Sequence, residues 1–196
     1  TALRPAPVQV NYLGYPGTMG AEFIDYIVVD HFVFRDGDRR HFTEQPVFMP
    51  GCYAPAAPVR RAAPPSSRAQ LGLPEGAFVA CCFNQAFKIM PEVFGLWMRF
   101  LDAAPHAVLW LLEGNPAACG NLRAEAARRG IESSRLIFAP RVSPAEYLGR
   151  LAAADLFLDT FPYNAHTTAA DALWAGVPVL TRSGESFASR VAGSVL

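Results

Sequence analysis

The chain has 196 residues, 52% of them hydrophobic and 17% charged, which excludes a disordered protein and suffices for one substantial domain, or one domain with part of another. Its 17 basic and 17 acidic residues balance to a formal net charge of +0, which removes the electrostatic footprint of a nucleic-acid binder. No apolar run of about 20 residues exists, so no membrane-spanning helix is expected. The four cysteines, at 52, 81, 82 and 119, have neither zinc spacing nor the look of a disulfide framework, and a cytoplasmic protein is expected. The chain starts at Thr1 without a methionine and stops at Leu196 inside an expected helix, so it reads as a fragment of a longer protein.

Residues 1 to about 50 carry two apolar runs, 8–13 and 23–30, with a turn segment at Gly14-Tyr15-Pro16-Gly17 after the first. The stretch from Gly14 to Gly20 lacks both the P-loop lysine and the dinucleotide fingerprint. Asp36-Gly37-Asp38 has the Asp-x-Asp form that can hold a divalent metal. It sits among Arg35, Arg39 and Arg40, where Asp-Gly favours a turn for backbone reasons, and a turn is the preferred reading. A connector rich in proline and alanine follows at 51–67, with Pro55, Pro58, Pro64 and Pro65, and is read as the semi-rigid link between two lobes. Arginines at 60, 61 and 68 read as a solvated cluster on it.

From about residue 71 strands alternate with helices. Strands are expected at 78–83, 107–112, 136–138, 156–158 and 178–180, with Cys81 and Cys82 facing opposite sides of the first. The clearest helix spans 91–104, where Phe94, Trp97, Met98 and Leu101 form one apolar stripe and Pro91 suits the first turn. A second is expected at 119–129, ended by Gly130. A third starts at the capping box Ser143-Pro144-Ala145-Glu146, and a fourth spans 167–175, closed by Gly176 with Pro178 beyond. Continuous apolar strands separated by helices of this length argue for a parallel α/β sheet, doubly wound.

In such sheets ligands bind beyond the carboxyl ends of the strands. Three strand ends here are polar. After the first comes Phe83-Asn84-Gln85-Ala86-Phe87-Lys88, where the lysine can reach a phosphate as a point charge, a solvated loop lysine being the plainer alternative. A second is the segment from Asp159 to Thr168, followed by Asp171, which leads into a helix whose first turn is rich in hydroxyls and whose N-terminus favours anions. Thr168 and Asp171 also fit a variant capping box. His166 has no histidine partner at metal-ligand spacing. The third, Pro140-Arg141-Val142-Ser143, offers backbone groups to a base edge.

Several segments together resemble the catalytic region of the protein O-N-acetylglucosaminyltransferases, glycosyltransferase family 41. They are Val8 to Thr18, Phe83 to Ile89, Val108 to Leu112, Leu158 to Thr168, and Asp171 through Ala175-Gly176-Val177-Pro178 to Val191. The resemblance covers nearly the whole chain, in order, and is to the bacterial type, which lacks the long insertion between lobes of the animal enzymes. It implies a GT-B arrangement of two Rossmann-like lobes, usually preceded by tetratricopeptide repeats. Residues 1–70 would be the end of the N-terminal lobe plus linker, and residues 71–196 a truncated C-terminal nucleotide-sugar-binding lobe. The implied reaction is inverting, metal-independent transfer of N-acetylglucosamine from UDP-GlcNAc to serine or threonine hydroxyls of a protein or peptide acceptor, with no cofactor besides the donor.

Carried over residue by residue, the resemblance implies that Gln85 and Lys88 contact the donor diphosphate, Lys88 being catalytic by neutralising the departing nucleotide. His166, Thr167 and Thr168 would hold the phosphates, and Asp171 the ribose. Val142 and Ser143, through their backbone, and Arg150 would face uracil, and Gly14 would lie near the sugar phosphate. Tyr147 stands where the family usually has histidine and Pro144 near a usual lysine, so the chain departs from the pattern around base and ribose. General-base candidates belong to a part of the first lobe outside this chain, and the segment alone is expected to bind donor weakly and transfer nothing. Two alternatives stay open: a SPINDLY-like protein O-fucosyltransferase using GDP-fucose, against which His166 and Asp171 count, and a non-catalytic nucleotide-sugar-binding module.

Overall fold

The computed structural model describes residues 1–55 and 61–196; Pro58 and Arg60 of the connector lie outside the described residues. Two sheets organise the rest. In the first, β1 (Val10–Asn11), β2 (Tyr26–Val29) and β3 (Gln45–Phe48) pair in parallel in that order. The second contains β4 (Phe78–Cys82), β5 (Ala107–Leu112), β6 (Leu136–Ala139), β7 (Leu156–Leu158) and β8 (Val179–Leu180). Its order is β6-β5-β4-β7-β8, again all parallel, which is the doubly wound α/β arrangement read from the sequence.

Helices cover both faces of the second sheet. α1 (Pro91–Ala103) and α2 (Pro116–Arg128) pack on one side, where Val93, Phe94, Trp97, Met98 and Leu101 meet Ala80, Cys82, Leu109 and Leu111. α3 (Pro144–Leu151) and α4 (Thr167–Trp174) pack on the other, against Val79, Cys81, Trp110 and Phe157. The period-2 alternation of strand side chains sends Cys81 and Cys82 into different cores. Full burial of each large apolar side chain contributes roughly 1.5–3 kcal/mol, so the stripe on α1 alone is a large part of what fixes that helix.

Sequence and structure differ in several details. β3 has no counterpart among the expected strands, because Pro46 argues against a strand; it is tolerated at the sheet's edge, where one side needs no donor. α2 starts three residues before Cys119, because Asn115 caps it by accepting from Ala118 N and Pro116 occupies the first turn. The Asp36-Gly37-Asp38 turn is the start of a short 3-10 helix, Asp36–His41. Arg68 is not a solvated linker cation: it donates to the carbonyls of Ala77 and Ala153 and pairs with Asp155 at 2.8 Å.

The last segment returns to the first sheet. A 3-10 turn, Phe187–Ser189, and α5 (Val191–Val195) place Phe187 and Val191 in one core with Ile27, Val29, Val33, Phe34 and Tyr53. Arg190, 2% exposed, pairs with Asp38 at 2.7 Å across this contact. Ser194 Oγ donates to Asp30 Oδ2 beside it. A Cβ at Gly193 would stand 2.5 Å from the half-exposed Phe32 ring, which would have to move aside.

What matters for a site is where the winding reverses. From β4 the chain passes through α1 towards β5, and from β7 through α4 in the opposite direction to β8. The loops after β4 and β7 therefore diverge and leave a crevice above two adjacent strands.

Candidate functional site

Lys88 ends a 3-10 turn, Ala86–Lys88, that follows β4. It is half-buried and crosses the crevice: its Nζ donates to the carbonyl of Asn164, 2.9 Å away, and lies 4.1 Å above the Tyr163 ring. The reading of Lys88 as a solvated loop residue does not survive this. Burial pulls its pKa below the usual lysine value, and the Asp159 carboxylate opposes that pull.

Opposite Lys88, α4 opens at Thr167. The N-cap residue is His166, whose side chain makes no capping hydrogen bond, and Thr168 lies inside the first turn. The variant capping box of Thr168 and Asp171 is therefore not formed. Thr168 Oγ1 instead donates to Asn84 Oδ1 at 2.6 Å. Ala169 N–H already donates to the His166 carbonyl, which leaves the N–H groups of Thr167 and Thr168 without an acceptor in the helix, at the positive end of its dipole.

His166 stacks on Tyr163 with ring centroids 5.2 Å apart. Burial and the Lys88 charge push its pKa down to about 4, against a hydrogen bond to the Ala188 backbone, so the imidazole is neutral near pH 7. Its buried Nε2 has no hydrogen-bond partner among the described residues.

Three adjacent cavities run along the strand ends. One of about 300 Å³ brings together Gln85, Val142, Tyr147, Arg150 and Thr168. The next, about 360 Å³, shares Tyr147 and adds Thr167, Asp171 and Arg61. A third, about 220 Å³, shares Thr167 and adds His166, Leu13 and Tyr53. Asp171 is 7% exposed at the wall of the middle one.

Arg150 lies at the base of the first cavity, 5% exposed. Its guanidinium lies within 4.8–5.9 Å of the rings of Phe83, Trp110 and Tyr147, and Nη1 donates to Pro140 O at 2.6 Å. Nε is buried with no hydrogen-bond partner among the described residues. A buried cation beside a cavity thus keeps a donor that a polar ligand could take up.

Two expected site residues stand apart. Ser143 caps α3: its Oγ accepts from Glu146 N–H and its own N–H donates to Glu146 Oε2, as the capping box in the sequence requires, and it does not line the cavity. Gly14 is exposed in a tight turn, with its N–H on Tyr12 O, and its neighbour Leu13 reaches the third cavity instead. The most apolar cavity, about 370 Å³ beside α1, is lined by Leu96, Trp97, Phe100, Leu158 and Leu180 among others. Glu92, Asp159 and Arg182 also border it, but most of its wall is apolar. The polar convergence is at the strand ends.

With this geometry in place the comparisons decide the family. The profile of glycosyl transferase family 41 matches residues 1–56 and 53–196. The chain belongs to glycosyltransferase family 41. It is 40% identical over 200 residues to the probable UDP-N-acetylglucosamine–peptide N-acetylglucosaminyltransferase SEC of Arabidopsis thaliana, a match covering 99% of this chain and 20% of that protein. It is 32% identical over 200 residues to the A. thaliana protein named as the probable enzyme of the same activity SPINDLY, covering 100% of this chain and 22% of that one. A solved mutant of the Thermobaculum terrenum O-GlcNAc transferase superposes with a TM-score of 0.86 at 34% identity, covering 100% of this chain and 37% of that chain. The chain thus spans about a fifth of the curated plant relatives it matches.

Several contributors in this family 41 chain escaped the reading of the sequence. Arg141 Nη2 donates to Gln85 Oε1 at 3.0 Å, joining the loops after β6 and β4 over the first cavity. Tyr163 carries Lys88 on its ring. Asp159, 8% exposed, accepts from Thr160 N, Ala165 N and Thr181 Oγ1 and thereby shapes the loop that presents Asn164. A polar residue directly after a buried strand was the available signal for Asp159. Arg141 lies in the third polar strand end, but nothing local marks its side-chain bond to Gln85.

Proposed function

We propose that the chain forms the nucleotide-sugar-binding part of a longer, bacterial-type, cytoplasmic family 41 enzyme of GT-B architecture. The enzyme transfers N-acetylglucosamine from UDP-GlcNAc to serine or threonine hydroxyls of a protein or peptide acceptor, with inversion. The observation that carries the reading is the Lys88 ammonium held 2.9 Å from Asn164 O, at the opening of α4, so that a cation and a helix N-terminus face one crevice. The names of the relatives and the solved bacterial enzyme supply the donor and acceptor classes. Free cysteines at 52, 81, 82 and 119 agree with a reducing compartment.

In this reading the donor diphosphate lies between Lys88 with Gln85 on one side and His166, Thr167 and Thr168 on the other. Negative charge grows on the diphosphate as the bond from the anomeric carbon to its oxygen breaks. Lys88 and the first turn of α4 are already oriented towards it, which lowers the barrier electrostatically without metal or cofactor. Neutral His166 supplies a hydrogen bond rather than a charge. Asp171 takes the ribose hydroxyls. Uracil enters the cavity of Tyr147 and Arg150, where Val142 reads it through the backbone; Ser143, its N–H committed to Glu146, helps only by holding that loop. Gly14 lies at the sugar-phosphate side. The base that deprotonates the acceptor comes from elsewhere in the longer protein.

The 32% identity to SPINDLY keeps a guanosine donor as the rival. Thermal shifts of the full-length protein separate the two. A ligand at 100 times its Kd stabilises by about 2.7 kcal/mol, so at equal concentration the preferred nucleotide gives the larger shift. UDP is expected to exceed GDP; a larger shift with GDP reverses the donor assignment, and no shift with either supports a chain that does not bind nucleotides.

A further inference from the structure

The crevice has a brace that none of the assigned roles uses. Asn84, 4% exposed, sits between the end of β4 and the two elements that flank it. Its Nδ2 donates to Thr160 Oγ1 at 2.8 Å and to Asp159 Oδ1 at 3.3 Å. Its Oδ1 accepts from Thr168 Oγ1 at 2.6 Å. One amide thus ties the loop after β7 and the first turn of α4 to the segment after β4 that also carries Lys88.

The orientation of that amide is not free. Asp159 Oδ1 already accepts from Thr160 N and Ala165 N, and a flipped Asn84 would aim its carbonyl oxygen at the Asp159 carboxylate. With the amide nitrogen held on Asp159, its oxygen must face α4. Thr168 then spends its single hydroxyl proton on Asn84. It has no proton left for a phosphate, so its side chain acts on a bound anion only by fixing where the helix starts, and residue 168 contacts the anion through its N–H.

We infer that Asn84 is a positioning residue: it sets the distance between Lys88 and the N-terminus of α4 so that one diphosphate meets both, and the Thr168 hydroxyl works through it. The inference rests on the diphosphate reading of the crevice.

The test is a double-mutant cycle in the full-length protein, using Asn84→Ala, Thr168→Val and the pair, with UDP dissociation constants measured by calorimetry on folded protein. Each single change should weaken UDP about tenfold, and the pair should also weaken it about tenfold rather than a hundredfold, because both remove one device. Thr167→Val, at a residue that lines two of the cavities and takes no part in the Asn84 brace, should multiply with either. The donor KM should rise with the UDP Kd. Multiplicative losses in the Asn84–Thr168 pair, an unchanged UDP Kd in Asn84→Ala, or a fall in activity that merely follows the folded fraction would each overturn the inference while leaving the diphosphate site standing. Failure of the unmutated protein to bind UDP overturns both. Should Asn84→Ala not fold, Asn84→Ser, too short to span the same partners, carries the cycle with the same expected values.

Discussion

Full-length protein carrying Lys88→Ala is expected to transfer sugar roughly 10²–10³-fold more slowly than the native protein, with little change in thermal stability. The size of the effect follows from where the ammonium sits. Its fixed contacts are a neutral carbonyl, Asn164 O, and a ring face, Tyr163, and neither cancels its charge. Half-burial reduces the screening of that charge by water, while Asp159 acts at longer range to keep the lysine protonated. A preoriented cation of this kind is worth most when the leaving diphosphate is fully charged, so the loss belongs to the bond-breaking step. Stability is expected to change little because Asn164 stays anchored by its own N–H to Ala188 O and by its side chain to Thr160 O. A transfer rate within threefold of the native protein removes the catalytic role from Lys88.

The second large effect is on stability. Asp38→Ala should cost about 3 kcal/mol or more in urea denaturation, because it leaves Arg190 buried without its counter-charge. Arg190 keeps hydrogen bonds to Ser186 O and Glu185 O, which places the expected cost near the lower end of the range for broken buried pairs. Arg4→Ala breaks an exposed pair with Asp25 and should change little, which makes it the internal control. The pH dependence has a defined sign. Burial tends to raise the Asp38 pKa, but hydrogen bonds from Arg190 and from Arg35 N–H outweigh it and hold the value below the ordinary 3.8. The pair's contribution is therefore complete above that ordinary value and is lost as pH falls through the lowered one. A cost below 1 kcal/mol for Asp38→Ala would show that the Asp38–Arg190 contact does not hold the last segment to the first sheet.

The layered architecture was legible because it rests on local patterns. The stripe on α1, the box at Ser143 and Glu146, and the continuous apolar strands each state their element within a dozen residues, and these elements formed as read. Where strong local signals misled, a partner far along the chain had won. Thr168 is drawn into a bond with Asn84, 84 residues away, and so does not serve as a cap. Arg68 is bound by groups on the strand and loop around Asp155 instead of by water. Pro46 hides β3 because its tolerance depends on being at an edge, which only the finished sheet defines. For the candidate site, strand-end and helix-start positions pointed to Lys88 and Thr167, whereas Arg150 and the ribose role of Asp171 came from the family resemblance. Asn84, Asp159 and Arg141 lie in the three polar strand ends that the sequence singled out, but it gave their side chains no role, because that role lies in which other side chains they hold.

The central claim is that Lys88 and the opening of α4 act on the same diphosphate. Calorimetric titration of the full-length protein and its Lys88→Ala variant with UDP and with uridine tests it most directly. Loss of the lysine should weaken UDP at least tenfold and leave uridine unchanged within about twofold, since the nucleoside reaches only the cavities of Arg150, Tyr147 and Asp171, which Lys88 does not line. Equal weakening of both ligands, or of neither, would contradict it.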